Sequence, residues 1–353
     1  MPPRPTSEKT NSPAPLLSIV MANLNGARFI GNCLKSISEQ TFKSFELIFI
    51  DNGSIDGSVA LVKKLFPQAT IIENTGNLGF AKANNQGIIR SSGKYVLTLN
   101  NDTELNQRFL EELVKTAETS SAETGMWATK ILSIHEKDII DSIGGLLIYP
   151  DGIAKGRGRL EKDAGQFDSP EDAFIPSACA ALYKKALLDE VGLFDEDFFA
   201  YCEDTDLGLR ARLAGWKTLS VPRAIAYHHY SGTGGKYSRQ KAYLVERNRL
   251  WVAMKNFPLC RLAALPFYTF WRYALQCYGL ITKKGAGGRF VENFSAFQLA
   301  IILLKAELHA LAGLPKMLAK RRKVQKLRKT SSSEVAAWFK QYSVSASSLV
   351  LKD

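Results

Sequence analysis

The chain has 353 residues, 46% of them hydrophobic and 23% charged. That is ordinary globular usage, which excludes wholesale disorder and collagen-like repeats and leaves room for one large α/β domain with a helical appendage. The net charge of +12 is unevenly placed: residues 1–232 hold 24 Lys and Arg against 29 Asp and Glu, a net of −5, while residues 233–353 hold 22 against 5, a net of +17. A mildly acidic globular unit therefore precedes a strongly basic one, and without a recognisable nucleic-acid module no nucleic-acid partner is expected.

Residues 1–15 (MPPRPTSEKTNSPAP) lack an apolar h-region and read as a short disordered leader rather than a secretory signal. Leu16–Ala22 is an apolar, β-branched strand that ends at the turn signal Asn23-Leu24-Asn25-Gly26. A helix follows through Phe29, Cys33, Leu34 and Ile37, then a strand at Phe45–Ile50 that breaks at Asp51-Asn52-Gly53-Ser54. Next come a helix through Val59, Leu61, Val62 and Leu65, a strand at Ala69–Glu73, the loop Asn74–Gly79, a helix over Ala81–Ile89 and a strand at Tyr95–Leu99. Strands alternating with helices of this length predict a mostly parallel, doubly wound sheet, whose ligand lies outside the carboxyl ends of the strands. The polar clusters Asn23–Asn25, Asp51–Ser54, Asn74–Gly79 and Asn100–Asp102 all fall at such ends, which describes a nucleotide-sized crevice. Residues 151–175, rich in Gly, Asp and Lys, read as a mobile loop over it.

From about Lys236 the chain turns to helices full of Leu, aromatic residues and Arg. Residues 316–329 carry eight Lys or Arg, and the Ser-rich tail after Thr330 is expected to be poorly ordered apart from a short helix near Val335–Gln341. No stretch reaches the ~18 uncharged apolar residues of a membrane span; Arg261 and Arg272 interrupt the run from Phe257 to Thr282, and Asn293–Leu304 is twelve residues long. Aromatic and aliphatic residues interleaved with arginines suit helices lying in a membrane interface, beside a basic cluster that suits anionic headgroups; a helical subdomain packed on the catalytic unit is the plainer alternative. Five scattered cysteines (Cys33, Cys179, Cys202, Cys260, Cys277), never in a C-x-x-C spacing, fit reduced thiols in the cytosol.

The segments IVMANLNG, IDNGSIDGS, NTGNLGFAKANNQGI, YVLTLNNDT and GLFDEDFFAYCEDTDLGLRARLAGW, followed by HHYSG and NRLWVAMKNFP, together resemble the glycosyltransferase family 2 enzymes of GT-A fold, and among them the rhamnosyltransferase-like group. The resemblance covers roughly residues 16–260 and rests on the order and spacing of the set, since each piece alone is weak. It implies a Rossmann-like, mostly parallel twisted sheet flanked by helices over residues 16–235, a helical basic region over 236–330 and a tail over 331–353. It also implies an inverting transfer of a sugar, with rhamnose a candidate, from a dTDP-, UDP- or GDP-sugar to a hydroxyl of a glycan or lipid-linked saccharide in surface polysaccharide assembly. The enzyme would then be cytoplasmic and peripheral on the inner face of the cell membrane. A catalytically silent GT-A module that binds nucleotide sugar or membrane is the rival reading.

Asp51, at the tip of the second strand, is where a carboxylate can accept hydrogen bonds from a pyrimidine and ribose, although an Asx turn in DNGS uses the same residues. Gly53, Gly76 and Gly79 permit close backbone approach to the nucleotide, with Asn23, Asn25, Asn77, Asn84, Asn85 and Asn101 as amide contacts; Asn84 and Asn85 serve equally well as local backbone ties. No P-loop or G-x-G-x-x-G fingerprint is present. Asn100-Asn101-Asp102 occupies the slot of the family's D-x-D motif with Asn100 in place of the first aspartate, so Asp102 is the charged candidate ligand for Mg²⁺ or Mn²⁺, or else the N-cap of a helix near Leu105. His228 is chosen over His229 as a second ligand. In the acidic cluster after Tyr201 the resemblance makes Asp204 the general base, with Glu203 supporting it and Asp206 contacting acceptor; helix N-capping is the other reading. The small-residue segment with Ser177 and Cys179 resembles the one that lines the sugar site in the family, although small residues also suit tight core packing.

Overall fold

The computed structural model describes residues 14–230, 238–292 and 294–352. Most of the leader, as well as Ser231 and Gly232 of HHYSG, therefore lies outside the described residues. The first half runs β1 (Leu17–Asn23), α1 (Ala27–Ser38), β2 (Phe45–Asp51), α2 (Ser58–Leu65), β3 (Thr70–Glu73), α3 (Phe80–Arg90), β4 (Tyr95–Leu99), β5 (Thr103–Leu105), α4 (Phe109–Thr119) and β6 (Thr124–Ser133). An insert follows, with β7 (Ile140–Ile143), β8 (Leu146–Ile148), β9 (Ala154–Gly156) and β10 (Asp172–Ala173). The sheet half closes with β11 (Ala180–Lys184), α5 (Lys185–Val191), α6 (Glu203–Leu213) and β12 (Lys217–His228).

The sheet order is β10-β12-β6-β11-β4-β1-β2-β3. Strands β3, β2, β1 and β4 are parallel neighbours, β12 pairs β6 in parallel, and β11 runs antiparallel between β4 and β6. The alternation within β1 explains the layering: Leu17, Ile19 and Met21 face one core with α1 and α4, while Val20 joins Ile48, Ile50 and Ile88 in the other. Pro222, which cannot donate to a ladder, sits where the β12–β6 register shifts. Asp102 does not cap a helix near Leu105, because Thr103–Leu105 is a strand paired with β12 and the helix starts at Phe109.

The insert is folded rather than a free loop. Lys130 bonds Asp163 and Asp168, Arg159 pairs with Asp141, and Arg157 with Glu171.

The basic half forms α7 (Arg239–Asn256), α8 (Leu259–Thr282), α9 (Gly285–Val291), α10 (Ala296–Ala312), α11 (Leu314–Leu327), α12 (Ser332–Gln341) and α13 (Ala346–Leu351). Its Trp251, Phe257, Met317, Val324, Trp338 and Phe339 share one core with Phe174, Ile175, Phe198 and Leu209 of the sheet half. Contrary to the expected disorder, the Ser-rich tail is ordered. Ser331 and Ser345 accept from backbone N–H groups three residues on, starting α12 and α13, and Val335, Trp338 and Phe339 supply the apolar face that docks. The basic cluster is also largely committed: Lys316 and Lys320 reach Asp197, Lys329 reaches Glu190, and Arg321 donates to the Met254 and Phe257 carbonyls.

Candidate active site

The carboxyl ends of β1, β2 and β4 meet through Asn23. Its Nδ2 donates to Asp51 Oδ1 at 2.9 Å and to Ser54 Oγ and Ser58 Oγ at 3.0 Å, and its Oδ1 accepts from Asn101 Nδ2 at 2.5 Å. Gly26 allows that approach, since a Cβ there would lie 2.2 Å from Asn101 Nδ2. The Asx turn is formed: Asp51 Oδ2 accepts from the Gly53 and Ser54 N–H groups. With three protein donors already on this buried carboxylate, a nucleotide is left its remaining lone pairs. Asn25 adopts φ +50° and accepts from Ile55 N–H, clipping the two loops together. Gly53, at φ +79°, is packed so tightly on Gly76 that a Cβ would fall 2.8 Å from its Cα. Asn77 accepts from Gly79 N–H and is exposed.

Two of the proposed amide contacts turn inward. Asn84 donates to the Phe80 carbonyl one turn back, and Asn85 exchanges hydrogen bonds with the Phe194 backbone and reaches Glu196. Both are buried, so they serve helix and loop rather than a nucleotide.

Asp102 and His228, 126 positions apart in the sequence, come together because β12 pairs β5: His228 Nε2 lies 3.3 Å from Asp102 Oδ1, and both side chains are buried. Nδ1 of the same ring is 2.7 Å from Asp141 Oδ2. Burial pulls the His228 pKa down, but the acidic groups Cys179, Asp102 and Asp141 outweigh it and hold the ring well above its usual value. His229 points the other way, against Phe29 and His135. Among the described residues no group of three or more His, Cys, Asp or Glu is placed to hold a metal. One carboxylate oxygen and one imidazole nitrogen facing each other still form a donor pair that suits Mg²⁺ or Mn²⁺ when diphosphate oxygens and water complete the shell.

On the far side of the Ser177–Cys179 segment stands α6. Ala178 N–H donates to Asp204 Oδ2 at 3.2 Å, and Thr205 N–H to Oδ1 at 2.7 Å, while the Cys179 carbonyl accepts from Asn100 N–H. Burial raises the Asp204 pKa against those donors, and burial with the neighbouring Asp204 charge lifts Glu203 well above the carboxylate range. Glu203 Oε2 has no hydrogen-bond partner among the described residues.

Asp206 is not an acceptor contact. It is fully buried and bonds Arg210 Nε (2.9 Å), Lys255 Nζ (2.8 Å) and Asn256 Nδ2 (2.9 Å). Burial alone would raise its pKa, but Lys255 and Arg210 hold it far below the ordinary carboxylate value.

The approach to α6 is strained, with Phe199, Tyr201 and Cys202 at φ of +66°, +69° and +66°. Asn248 of α7 clamps it: Nδ2 donates to the carbonyls of Phe198, Ala200 and Tyr201 at 2.8–2.9 Å. The Phe199 carbonyl in turn accepts from Ala81 N–H and lies against Gly79, where φ is +84° and a Cβ would sit 2.5 Å from that oxygen. The loop before α3 and the acidic helix are thus joined through one segment. Asn248, Lys255 and Asp141 had no assigned role in the sequence. The available signal for the first two was their polarity on the stripe that also carries Trp251 and Val252.

Residues 18–192 match the family model for glycosyl transferase family 2. The chain carries a domain of that family and is a glycosyltransferase of GT-A fold. The Mycobacterium tuberculosis protein named N-acetylglucosaminyl-diphospho-decaprenol L-rhamnosyltransferase is 24% identical over 63% of this chain and 78% of its own length. An uncharacterised Sinorhizobium fredii relative, 23% identical over 63% of this chain, is spanned over only 25% of its length. Among solved structures, S. aureus TarS 1–349 in complex with UDP has a TM-score of 0.51 at 17% identity, covering 88% of this chain and 90% of that one. The mannosyltransferase PcManGT from Pyrobaculum calidifontis, in complex with GDP-Man and Mn²⁺, has a TM-score of 0.50 at 15% identity, covering 90% and 86%. Both structures are similar in fold.

Proposed function

We propose that the protein is an inverting glycosyltransferase that moves a sugar, rhamnose being the first candidate, from a nucleoside-diphosphate donor to a hydroxyl of a glycan or lipid-linked saccharide in surface polysaccharide or glycolipid assembly. The observation that carries this reading is the Ser177–Cys179 segment, with Asp204 bonded to it at Ala178 on one side and the Asp102–His228 pair beside Cys179 on the other. Base and diphosphate anchor are then a few residues apart.

In this reading Asp204, ionised, takes the proton of the acceptor hydroxyl as it attacks the anomeric carbon, and its raised pKa makes it a stronger base near neutral pH. Glu203 holds its proton to higher pH than an ordinary carboxylate, which limits a second charge beside Asp204. Asp102 and His228 would hold Mg²⁺ or Mn²⁺, which when bound supplies charge neutralisation for the departing diphosphate. Asn23 and Asp51 hold the nucleotide loops in register, and Ser177 and Cys179 leave room for the sugar. The name of the mycobacterial relative, with its decaprenol-linked substrate and rhamnosyl transfer, supports a lipid-linked acceptor and the choice of rhamnose.

An acceptor of that kind fits a peripheral position on the inner face of the cell membrane. Phe267, Phe270 and Trp271 of α8 and Leu304, Leu308 and Leu311 of α10 are exposed, and Arg322, Lys323 and Lys326 of α11 are exposed basic residues. Among the described residues no single helix is long and apolar enough to cross a membrane, although α10 and α11, bent by 58°, pass such a test together. Flotation with vesicles containing anionic lipid tests this: Phe270→Glu with Trp271→Glu should release the protein, and retention by the double variant would refute the placement.

Thermal shift with dTDP-rhamnose, several UDP-hexoses and GDP-mannose, with and without Mg²⁺ or Mn²⁺, tests the transferase reading. A selective, metal-enhanced rise names the donor. A rise without metal dependence removes the metal from the mechanism, and no response to any donor moves the chain to the silent module.

A further inference from the structure

We propose that Asp141 is a positioning residue of the cation site: it fixes the His228 ring so that Nε2 faces Asp102. This rests on the reading of Asp102 and His228 as metal ligands and extends it to a residue of the insert.

The geometry has three parts. Asp141 lies on β7, which pairs with β6 through Ser142 opposite Ile131 and Ile140 opposite Leu132, with a register shift between them. Asp141 is the extra residue at that irregularity. A bulge re-aims the side chain of its unpaired residue, and here the carboxylate is aimed at His228 Nδ1, 2.7 Å away. Second, the three side chains are largely buried, with relative exposures of 6% for Asp102, 8% for His228 and 13% for Asp141. A ring enclosed this way is oriented by its hydrogen bonds rather than by solvent. Third, Asp141 is itself held: its Oδ1 pairs with Arg159, whose guanidinium lies 3.8 Å from the centroid of the Tyr230 ring. Tyr230 in turn packs edge-on against His228.

The chemical consequence concerns the tautomer. A cation at Asp102 would have to displace the Nε2 proton, and with Nδ1–H held by Asp141 the lone pair so exposed would face that cation. In the other tautomer Nε2 carries the hydrogen, which would be aimed at the cation and prevent ligation. A carboxylate behind a ligating imidazole also raises its basicity, and loss of such a partner typically costs about 10–100-fold in metal affinity. The insert, through Asp141 and Arg159, thus reaches the cation site without contributing a ligand.

The test is Mn²⁺ affinity, read by electron paramagnetic resonance of free Mn²⁺ and by calorimetry, with Mn²⁺ alone and with Mn²⁺ plus UDP. Four full-length proteins are compared: wild type, Asp141→Asn, Arg159→Gln and His228→Ala. Asp141→Asn should weaken Mn²⁺ binding by about 10–100-fold, while Arg159→Gln, which loosens Asp141 but leaves it its contact with His228, should cost clearly less. Asp141→Ser is the second variant, used if the asparagine protein does not fold. Equal loss in Asp141→Asn and Arg159→Gln would mean that Asp141 only holds the insert, which overturns the proposal, and so would unchanged affinity in Asp141→Asn. If His228→Ala binds Mn²⁺ as wild type does, or if neither binds it, the metal reading falls and this proposal with it; that result is told apart by the histidine variant.

Discussion

Asn248 offers the sharpest perturbation, because one buried amide holds the strained segment that leads into the acidic helix. Asn248→Ala removes two N–H donors that serve three carbonyls, those of Phe198, Ala200 and Tyr201. The Phe198 carbonyl keeps Arg247 as a donor, so the carbonyls of Ala200 and Tyr201 are the ones left unsatisfied; at about 1–3 kcal/mol each the destabilisation is on the order of 3 kcal/mol, a large share of the roughly 5–15 kcal/mol that keeps a domain folded. At about 2.1 cal/mol/K of unfolding entropy per residue, a chain of 353 residues shifts by roughly 1.4 °C per kcal/mol, so the melting temperature should fall by about 4 °C. The clamp also opposes the cost of keeping Phe199, Tyr201 and Cys202 at positive φ, about 1–3 kcal/mol for each residue. Without it the segment relaxes and α6 shifts. A displacement of ~1 Å at a base costs on the order of 100-fold in rate, and the loss should appear in kcat. Donor affinity should change less than kcat, since Asn23, Asp51 and Asn101 lie at the ends of β1, β2 and β4 and only the Gly79 loop touches the clamped segment. The assay is donor turnover (transfer, or hydrolysis where the acceptor is not in hand) well below the melting temperature, beside donor binding by calorimetry. Asn248→Asp, which sets an acceptor against three carbonyls, should be worse than alanine. A lowered melting temperature with unchanged kcat would refute the reasoning, since the clamp would then stabilise the fold without placing the base.

Other expectations follow from the same contacts. Asp204→Asn should lower transfer by at least about 100-fold with donor binding intact; equal loss of donor affinity would make Asp204 structural. Because burial raises the Asp204 pKa and the ionised form is the base, activity should rise with pH through that raised value, and an acid limb at the ordinary carboxylate position would contradict it. Lys255→Met strips Asp206 and Asp195 of a buried partner and should cost about 3–5 kcal/mol by denaturant unfolding. Asp206 and Glu246 are held below the usual range, Glu246 at about 2, each by paired cations overcoming burial. Their contribution is complete above the unfolded carboxylate value near 4 and is lost as pH falls toward 2; a flat melting temperature from pH 5 to 2 would refute it. Deleting residues 331–353 removes Val335, Trp338, Phe339 and Tyr342 from the shared core, at about 1.5–3 kcal/mol for each large side chain. Unfolding or insolubility is expected, and a truncated protein with the melting temperature of the full chain would exclude a structural role for the tail.

The sequence by itself determined the sheet half and the direction of the site. Short apolar, β-branched runs such as Leu17–Met21 and turn signals at Asn23 and Asp51 are local, and local pattern suffices to place strands whose carboxyl ends carry the polar loops. The set of segments around Asp102, Asp204 and His228 was legible for the same reason, because each motif sits on a strand end or helix start that its own neighbours encode. What depended on partners far along the chain was decided only by the tertiary structure. Asp206 reads as one more cleft carboxylate until Lys255 and Asn256, about fifty residues on, are seen to enclose it. Asp141 is one acid among many until a bulge in β7 turns it toward His228. The Ser-rich tail looks unstructured by composition, yet Trp338 and Phe339 find a core assembled from α7, α11 and the sheet half. Composition and periodicity report what a segment can bury, whereas the surface it is buried against exists only once the chain has folded.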